Sequence, residues 1–173
     1  PAQGLPSTDI EVLARDADGY LWIATADGLA RYDGIDMRIW RHDPQDPAGL
    51  PGNNVQALLL DAGDRAWIAT EAGGISVLDA RRARFTHYRM ATHPQLGSDD
   101  VWALARQGDV VWVGTYEGGL TRVDANGEMQ RYTQENDGLP SDTVLSLAVD
   151  DADVLWVGTD KGLARQQGTR FET

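Results

Sequence analysis

Trp22-Ile23-Ala24-Thr25 is the first of four related tetrapeptides that decide the fold of this 173-residue chain. The other three are Trp67-Ile68-Ala69-Thr70, Trp112-Val113-Gly114-Thr115 and Trp156-Val157-Gly158-Thr159, so successive tryptophans are 45, 45 and 44 residues apart. A period in the mid-forties is typical of one four-stranded blade of a β-propeller. The spacing therefore predicts an all-β chain in which one blade-sized unit is written four times.

The first unit shows how such a blade is built. Short apolar runs that favour strands are separated by Asp16-Ala17-Asp18-Gly19, Asp27-Gly28 and Asp33-Gly34, which are typical of tight turns. The predicted strands are Ile10–Arg15, Tyr20–Thr25, Leu29–Tyr32 and Met37–Trp40. Four strands joined by three hairpins form an antiparallel meander.

The remaining units match the first position by position. First strands are expected to start at Ile10, Val55, Val101 and Val144, and third strands at Leu29, Ile75, Leu120 and Leu163. Fourth strands pair a large apolar residue with a later aromatic one: Met37 with Trp40, Phe85 with Tyr88 and Met129 with Tyr132, whereas the last unit offers Phe171 alone. We therefore expect blades over about 4–48, 49–94, 95–137 and 138–173.

The tryptophans of this chain fall into two groups. Trp22, Trp67, Trp112 and Trp156 occupy the same strand of every unit, and we expect them to pack between neighbouring blades rather than to stack on a ligand. Trp40 takes the outer aromatic position and is also expected to be structural.

Trp102 stands outside the repeat, on an inner strand at the position that Glu11, Gln56 and Leu145 take elsewhere. Inner strands line the central channel of a propeller. Trp102, Glu11 and Gln56 could therefore bind a small polar or saccharide ligand at one mouth of the channel, and the alternative is that they only fill it.

A second group of candidate binding residues lies on variable loops. The second hairpins differ from unit to unit and contain Glu71, Tyr116 and Asp160. We expect these hairpins to share a face with the links between blades, 41–54, 89–100 and 133–143. Function concentrates on variable loops that are held by a rigid frame, so this face is where a ligand is expected.

Composition excludes several classes of protein. Acidic residues outnumber basic ones by 27 to 15, giving a formal net charge of −12, which argues against binding to nucleic acid or anionic lipid. The chain has no cysteine and no apolar run of about 18 residues that could span a membrane. No catalytic or metal-ligating constellation is visible, because His42, His87 and His93 are not spaced as a metal pair. No metal or cofactor is therefore expected.

The repeated phrase resembles the two-component regulator propeller repeat. It is carried by Gly4-Leu5-Pro6-Ser7, Asp16-Ala17-Asp18-Gly19, Leu21-Trp22-Ile23-Ala24-Thr25 and Gly28-Leu29-Ala30-Arg31-Tyr32-Asp33, and again from Gly138 to Arg165. The second and third units drift: Val77 replaces the arginine in one, and Gln95-Leu96-Gly97 replaces Gly-Leu-Pro in the other.

The resemblance implies a non-catalytic sensor region on the periplasmic side of a bacterial membrane receptor. It would bind a small molecule or oligosaccharide and act on a histidine kinase or diguanylate cyclase outside this chain. Two other readings stay open: a protein-interaction scaffold without a small ligand, and a propeller lyase or hydrolase. Family members usually carry more repeats, so we expect part of a larger sensor.

Four blades leave an apolar face at each end of the array. We expect the array either to close on itself or to pair with a second copy, giving a ring of about eight blades.

Overall fold

A computed structural model describes residues 4–173 of the chain. Strands in this range form four antiparallel sheets of four strands, each in sequence order, which confirms the predicted all-β blades. The chain divides between His87 and Tyr88 into two compact units that are described separately.

The strands of the first two blades are β1 Ile10–Arg15, β2 Leu21–Thr25, β3 Gly28–Tyr32, β4 Met37–Trp40, β5 Val55–Leu60, β6 Ala66–Thr70, β7 Ile75–Leu78 and β8 Phe85–Tyr88. Those of the last two blades are β9 Val101–Gln107, β10 Val110–Thr115, β11 Gly119–Val123, β12 Met129–Tyr132, β13 Val144–Val149, β14 Leu155–Thr159, β15 Gly162–Gln167 and β16 Arg170–Glu172. Two links contain short helical turns that the sequence reading did not predict, a 3₁₀ turn Pro94–Leu96 and a helix α1 Gln134–Asp137.

The first strands begin at the four predicted residues, but the third strand of three blades begins one residue earlier than predicted, at Gly28, Gly119 and Gly162. Gly28 pairs with Thr25, whose hydroxyl donates to the Gly28 carbonyl oxygen at 2.8 Å. Its φ is +126°, and a Cβ atom there would lie 2.7 Å from the Trp40 carbonyl oxygen. The prediction was wrong because this glycine is a turn residue and a strand residue at once.

In the first unit, the core lies between the two blades. Trp22 is fully buried and shares one apolar cluster with Leu58, Ala66 and Ile68 of the second blade. Its indole ring stacks on Trp40, with 5.3 Å between ring centroids and 10° between ring planes. A residue of the repeat thus holds two successive blades together by burying apolar surface.

The second unit repeats this arrangement. Trp112, which is 1% exposed, packs with Leu155 and Val157 of the following blade. Its ring lies 5.5 Å from that of Tyr132 and meets Phe171 edge-on at 6.2 Å. The fourth blade therefore uses the single aromatic residue of its last strand to cover the third.

Candidate functional site

The four inner-strand positions that were compared in the sequence share one backbone feature. The pairing of each inner strand with its neighbour shifts register at this position, which leaves one residue in a β-bulge. The bulged residues are Glu11, Gln56, Trp102 and Leu145. Bulges re-aim side chains and are frequent beside functional sites. The irregular residues of the sequence therefore stand where the backbone itself is irregular.

Trp102 forms the best-defined part of the candidate site, in the second unit. Its ring stacks on Tyr116, with centroids 5.5 Å apart and 25° between planes. The sequence predicted Trp102 at the channel mouth and Tyr116 on the second hairpin, as members of two separate groups. The structure brings the two residues together. Both rings remain open to solvent, Trp102 at 43% and Tyr116 at 41% exposure.

Asp100 positions both members of this aromatic pair. Its carboxylate accepts a hydrogen bond from the Trp102 indole nitrogen at 3.0 Å, and its backbone carbonyl accepts one from the Tyr116 amide at 2.9 Å. A stacked, exposed pair of rings that is tied to one acidic residue offers a flat apolar surface with a polar edge. Such a surface suits a ligand that has an apolar face and hydroxyl groups.

Asp160 is the other predicted residue of this unit, on the second hairpin of the fourth blade. Its backbone amide donates to the Thr143 carbonyl oxygen at 3.2 Å, which joins the hairpin to the preceding link. No hydrogen bond between Asp160 and the aromatic pair is present in residues 88–173.

The first unit holds the other three predicted residues. Glu11 is exposed, and Gln56 keeps a buried side-chain oxygen, Oε1, without a hydrogen-bond donor in residues 4–173. Glu71 accepts a hydrogen bond from Asn54 Nδ2 at 3.3 Å, and its amide donates to the Asn54 carbonyl oxygen. The second hairpin and the link before it therefore lie on one side of the blade, as the sequence suggested. These three residues stay predicted ligand contacts.

The sequence analysis did not predict the hydrogen bond that anchors the repeated tryptophan. Trp22 Nε1 donates to Asp16 Oδ2 at 2.9 Å, and Trp67 and Trp156 donate in the same way to Asp61 and Asp150 at 2.8 Å. The aspartate precedes the tryptophan by six residues in all three blades, a signal that was present in the sequence. The third blade has a shorter first hairpin and uses Gln107 at 2.9 Å from Trp112 Nε1.

Asp16 shows why these aspartates are structural rather than catalytic candidates. Burial by itself raises the pKa of this carboxyl group, but hydrogen bonds from Trp22, Arg31 and the Tyr20 amide outweigh it and hold the pKa below its ordinary value. The Arg31 Nε atom lies 2.8 Å from Asp16 Oδ2. The carboxylate is thus ionised at neutral pH and saturated with donors.

No cluster of three or more histidine or acidic side chains that could hold a metal ion is present in the described part of the chain. Nor does any helix among residues 4–173 have the length and apolar character needed to cross a membrane.

Comparison with solved structures confirms the fold. The chain matches the extracellular domain of a hybrid two component system of B. thetaiotaomicron with a TM-score of 0.78 and 23% identity, over 98% of this chain and 22% of that one. It also matches a virginiamycin B lyase from Staphylococcus aureus with a TM-score of 0.72 and 15% identity, over 97% of this chain and 56% of that one. Likeness at these identities shows a shared propeller fold.

A sequence relative is a histidine kinase, P4, of Formosa agariphila, which is 37% identical over 46 residues. That match covers 27% of this chain and 3% of the kinase, so the chain spans a small part of such proteins. The model of the two component regulator propeller family matches residues 4–27, 49–72 and 138–161, which lie in the first, second and fourth blades. The repeats of these three blades therefore match the two component regulator propeller family.

Proposed function

We propose that this chain is a non-catalytic sensor module on the periplasmic side of a bacterial receptor, which binds a small molecule or saccharide. The exposed pair of Trp102 and Tyr116 carries the proposal, since it offers a preformed stacking surface. Its output would be a histidine kinase or diguanylate cyclase domain in segments outside this chain. Similarity to the extracellular domain of a hybrid two component system supports this assignment.

The aromatic pair lies in the blade that departs from the family pattern. Trp102 and Tyr116 fall outside the three segments that match the family model. Residues that hold the fold recur in every blade, whereas a ligand site needs groups that are found once. This contrast favours recognition of a ligand over a purely structural role for the pair.

The test is a binding screen on the purified chain with neutral and acidic oligosaccharides, read by calorimetry and by tryptophan fluorescence. Trp102→Ala is expected to weaken binding of any positive saccharide about tenfold or more, because each 1.4 kcal/mol of lost stacking is a factor of ten. Leu145→Ala is the matched control, since Leu145 occupies the equivalent bulge and is 41% exposed. Equal binding by wild type and Trp102→Ala would contradict the proposal.

A protein-interaction role is the second candidate function. It is favoured by an uncovered apolar face of the first blade. Leu13 is 59% exposed and Leu21 is 37% exposed, whereas their counterparts in the second blade, Leu58 and Ala66, are 7% and 0% exposed. Leu58 and Ala66 are buried against the first blade. The first blade thus presents, uncovered, the same surface that a neighbouring blade covers elsewhere in this unit.

The fourth blade also leaves an apolar face uncovered. Leu163 is 56% exposed, whereas its counterpart in the third blade, Leu120, is fully buried in the cluster that joins the third blade to the fourth. The fourth blade therefore leaves uncovered the surface that the next blade covers in the third. We propose that a second copy of the chain supplies the covering blade when the 173-residue chain is studied alone.

Light scattering tests this association. A dimer is expected, and both Leu13→Asp and Leu163→Asp are expected to yield monomers because a charge on the buried face costs too much to desolvate. Met90→Asp, on an exposed link residue, is the control and should leave the dimer intact. A wild-type chain that stays monomeric at high concentration would exclude the second copy as the partner and leave further repeats of a longer chain as the cover.

A further inference from the structure

A crevice in the first unit concentrates positive charge in a chain that is strongly acidic. It has a volume of about 560 Å³ and lies between β4 and the hairpin that precedes β8. Four of the chain's 15 basic residues line it, namely Arg38, Arg41, Arg82 and Arg84. None of these residues belongs to the candidate site of the second unit.

Two of the arginines are neutralised and hold the walls in place. The Arg82 guanidinium, which is 4% exposed, pairs with Asp64 Oδ2 at 2.5 Å and lies 3.8 Å from Asp16 Oδ2. Arg41 pairs with Asp27 at 3.2 Å. These pairs fix the shape of the crevice and leave its remaining charge to the other two arginines.

Arg38 and Arg84 have no carboxylate partner among residues 4–173. Arg38 donates to the Arg82 carbonyl oxygen at 2.9 Å and lies over the Trp40 ring, 4.7 Å from the ring centroid. The Arg84 side chain makes no hydrogen bond, ion pair or ring contact with a described residue, whereas its carbonyl oxygen accepts a hydrogen bond from the Asp79 amide at 3.0 Å. One carboxylate, that of Asp46, lines the crevice, and it accepts a hydrogen bond from the Ala48 amide. The charges of Arg38, Arg84 and Asp46 therefore sum to one positive charge.

A third observation marks this region as short of acceptors. The Nε atom of Arg82 is buried and has no hydrogen-bond partner in the described part of the chain. A buried donor without an acceptor costs free energy, and an added acceptor nearby recovers it. Arg82, which lines the crevice, therefore keeps one donor without an acceptor.

The crevice also has an apolar side. Trp40 lines it and is held by stacking on Trp22, while Leu50, Leu78 and Phe85 add aliphatic and aromatic surface. A ligand that fits must combine an anionic group with a small apolar or ring-shaped body. Guanidinium groups match the oxygens of carboxylate, sulfate and phosphate through paired N–H donors.

We propose that this crevice binds the oxyanion of a small carboxylic acid or of a sulfate or phosphate ester, and that Arg84 and Arg38 donate hydrogen bonds to it. The inference goes beyond the proposed sensor function, because it concerns another unit and a charged class of ligand. A sensor with both sites would respond to acidic compounds that the aromatic pair alone does not distinguish from neutral ones.

The experiment is a titration of the purified chain with sodium glucuronate, sodium sulfate, sodium phosphate and glucose, read by calorimetry and backbone NMR. At least one of the three anions is expected to bind at up to about 10 mM, with shifts at residues 38–41 and 82–85, and glucose is not expected to bind. Binding of glucuronate but neither inorganic anion would identify a carboxylate site, and tighter binding of sulfate or phosphate an ester site. Absence of binding by all three anions overturns the proposal.

Arg84→Gln separates this site from general attraction of anions. It is expected to weaken anion binding tenfold or more without loss of folding, because Arg84 is exposed and its side chain makes no hydrogen bond or ion pair with a described residue. Arg170→Gln, an exposed arginine of β16, is the control of equal charge and should bind as wild type does. Equal losses in both variants would overturn the assignment. Trp102→Ala should leave anion binding unchanged, so this proposal and the sensor site fail independently.

Discussion

Trp22 and Trp102 are both strand tryptophans, yet they stand at opposite ends of the range of environments in this protein. Trp22 is fully buried, stacks on Trp40 and donates its indole proton to Asp16. Trp102 is 43% exposed and occupies a bulge beside Tyr116. The difference teaches that recurrence marks the residues that hold blades together, whereas departure from the repeat marks those free to meet a ligand.

The largest expected effect comes from removing the buried partner of this comparison. Trp22→Ala should lower the free energy of unfolding by about 3–5 kcal/mol, because it leaves a cavity between two blades and an unpaired carboxylate at Asp16. Urea unfolding followed by circular dichroism measures this loss. A loss no greater than that for Trp102→Ala would contradict the assigned roles.

Asp16→Asn tests the bond that anchors Trp22 without changing its volume. We expect a loss of about 1–3 kcal/mol, since the neutral amide is a weaker acceptor for the Trp22 and Arg31 donors and leaves the buried Arg82 less well paired. Asp36→Asn, at an exposed residue of the third hairpin, is the control and should change stability by less than about 0.5 kcal/mol.

Acid should weaken the same anchors. The pKa values of Asp16 and Asp61 lie below the ordinary value in the folded chain, so these carboxylates contribute stability above the pKa of the unfolded chain. That contribution is lost as the pH falls through the folded-state pKa values, below the ordinary 3.8 of aspartate. Thermal melting between pH 6 and pH 2 should show a steep drop that is shallower in Asp16→Asn. Parallel curves would show that Asp16 is not among the titrating groups.

The smallest effect on stability is expected at the candidate site. Trp102→Ala should cost about 0.5–1.5 kcal/mol, the value of an aromatic contact at a partly exposed position. The comparison becomes sharper if ligand binding falls in this variant while its melting temperature stays close to that of wild type. A collapse of stability would instead show that the pair fills the fold rather than serving a ligand.

Much of the fold could be predicted because each blade repeats one local pattern. Alternating apolar residues and glycine turns located Val55, Val101 and Val144 as strand starts, and all three hold. The bond from Asp61 to Trp67 was missed, although its six-residue spacing recurs in the sequence, because aspartate in a turn has a sufficient local explanation. The helical turns of the links were missed because such short segments lack periodicity.

The candidate site was only half visible before the structure. Trp102 stood out as a break in the repeat, and Tyr116 as a variable residue of the second hairpin. No spacing rule predicts contact between a residue of the inner strand and one of the second hairpin. A bulge at Trp102 brings the two rings to 5.5 Å. The crevice of four arginines gave no signal at all, because Arg38 and Arg84 are 46 residues apart and come from successive blades.

The sequence by itself determined the class of the fold, the number of blades and the identity of the repeated core residues, because hydrophobic periodicity and turn chemistry act over a few neighbouring residues. Only the tertiary structure decided which of those equivalent residues is covered. Leu58 is buried and Leu13 exposed, although both fill the same place in their blades, because burial depends on whether another blade packs against that face. The same holds for the aromatic pair, which forms between an inner strand and the second hairpin of one blade, and for the arginine crevice, which forms where two blades meet.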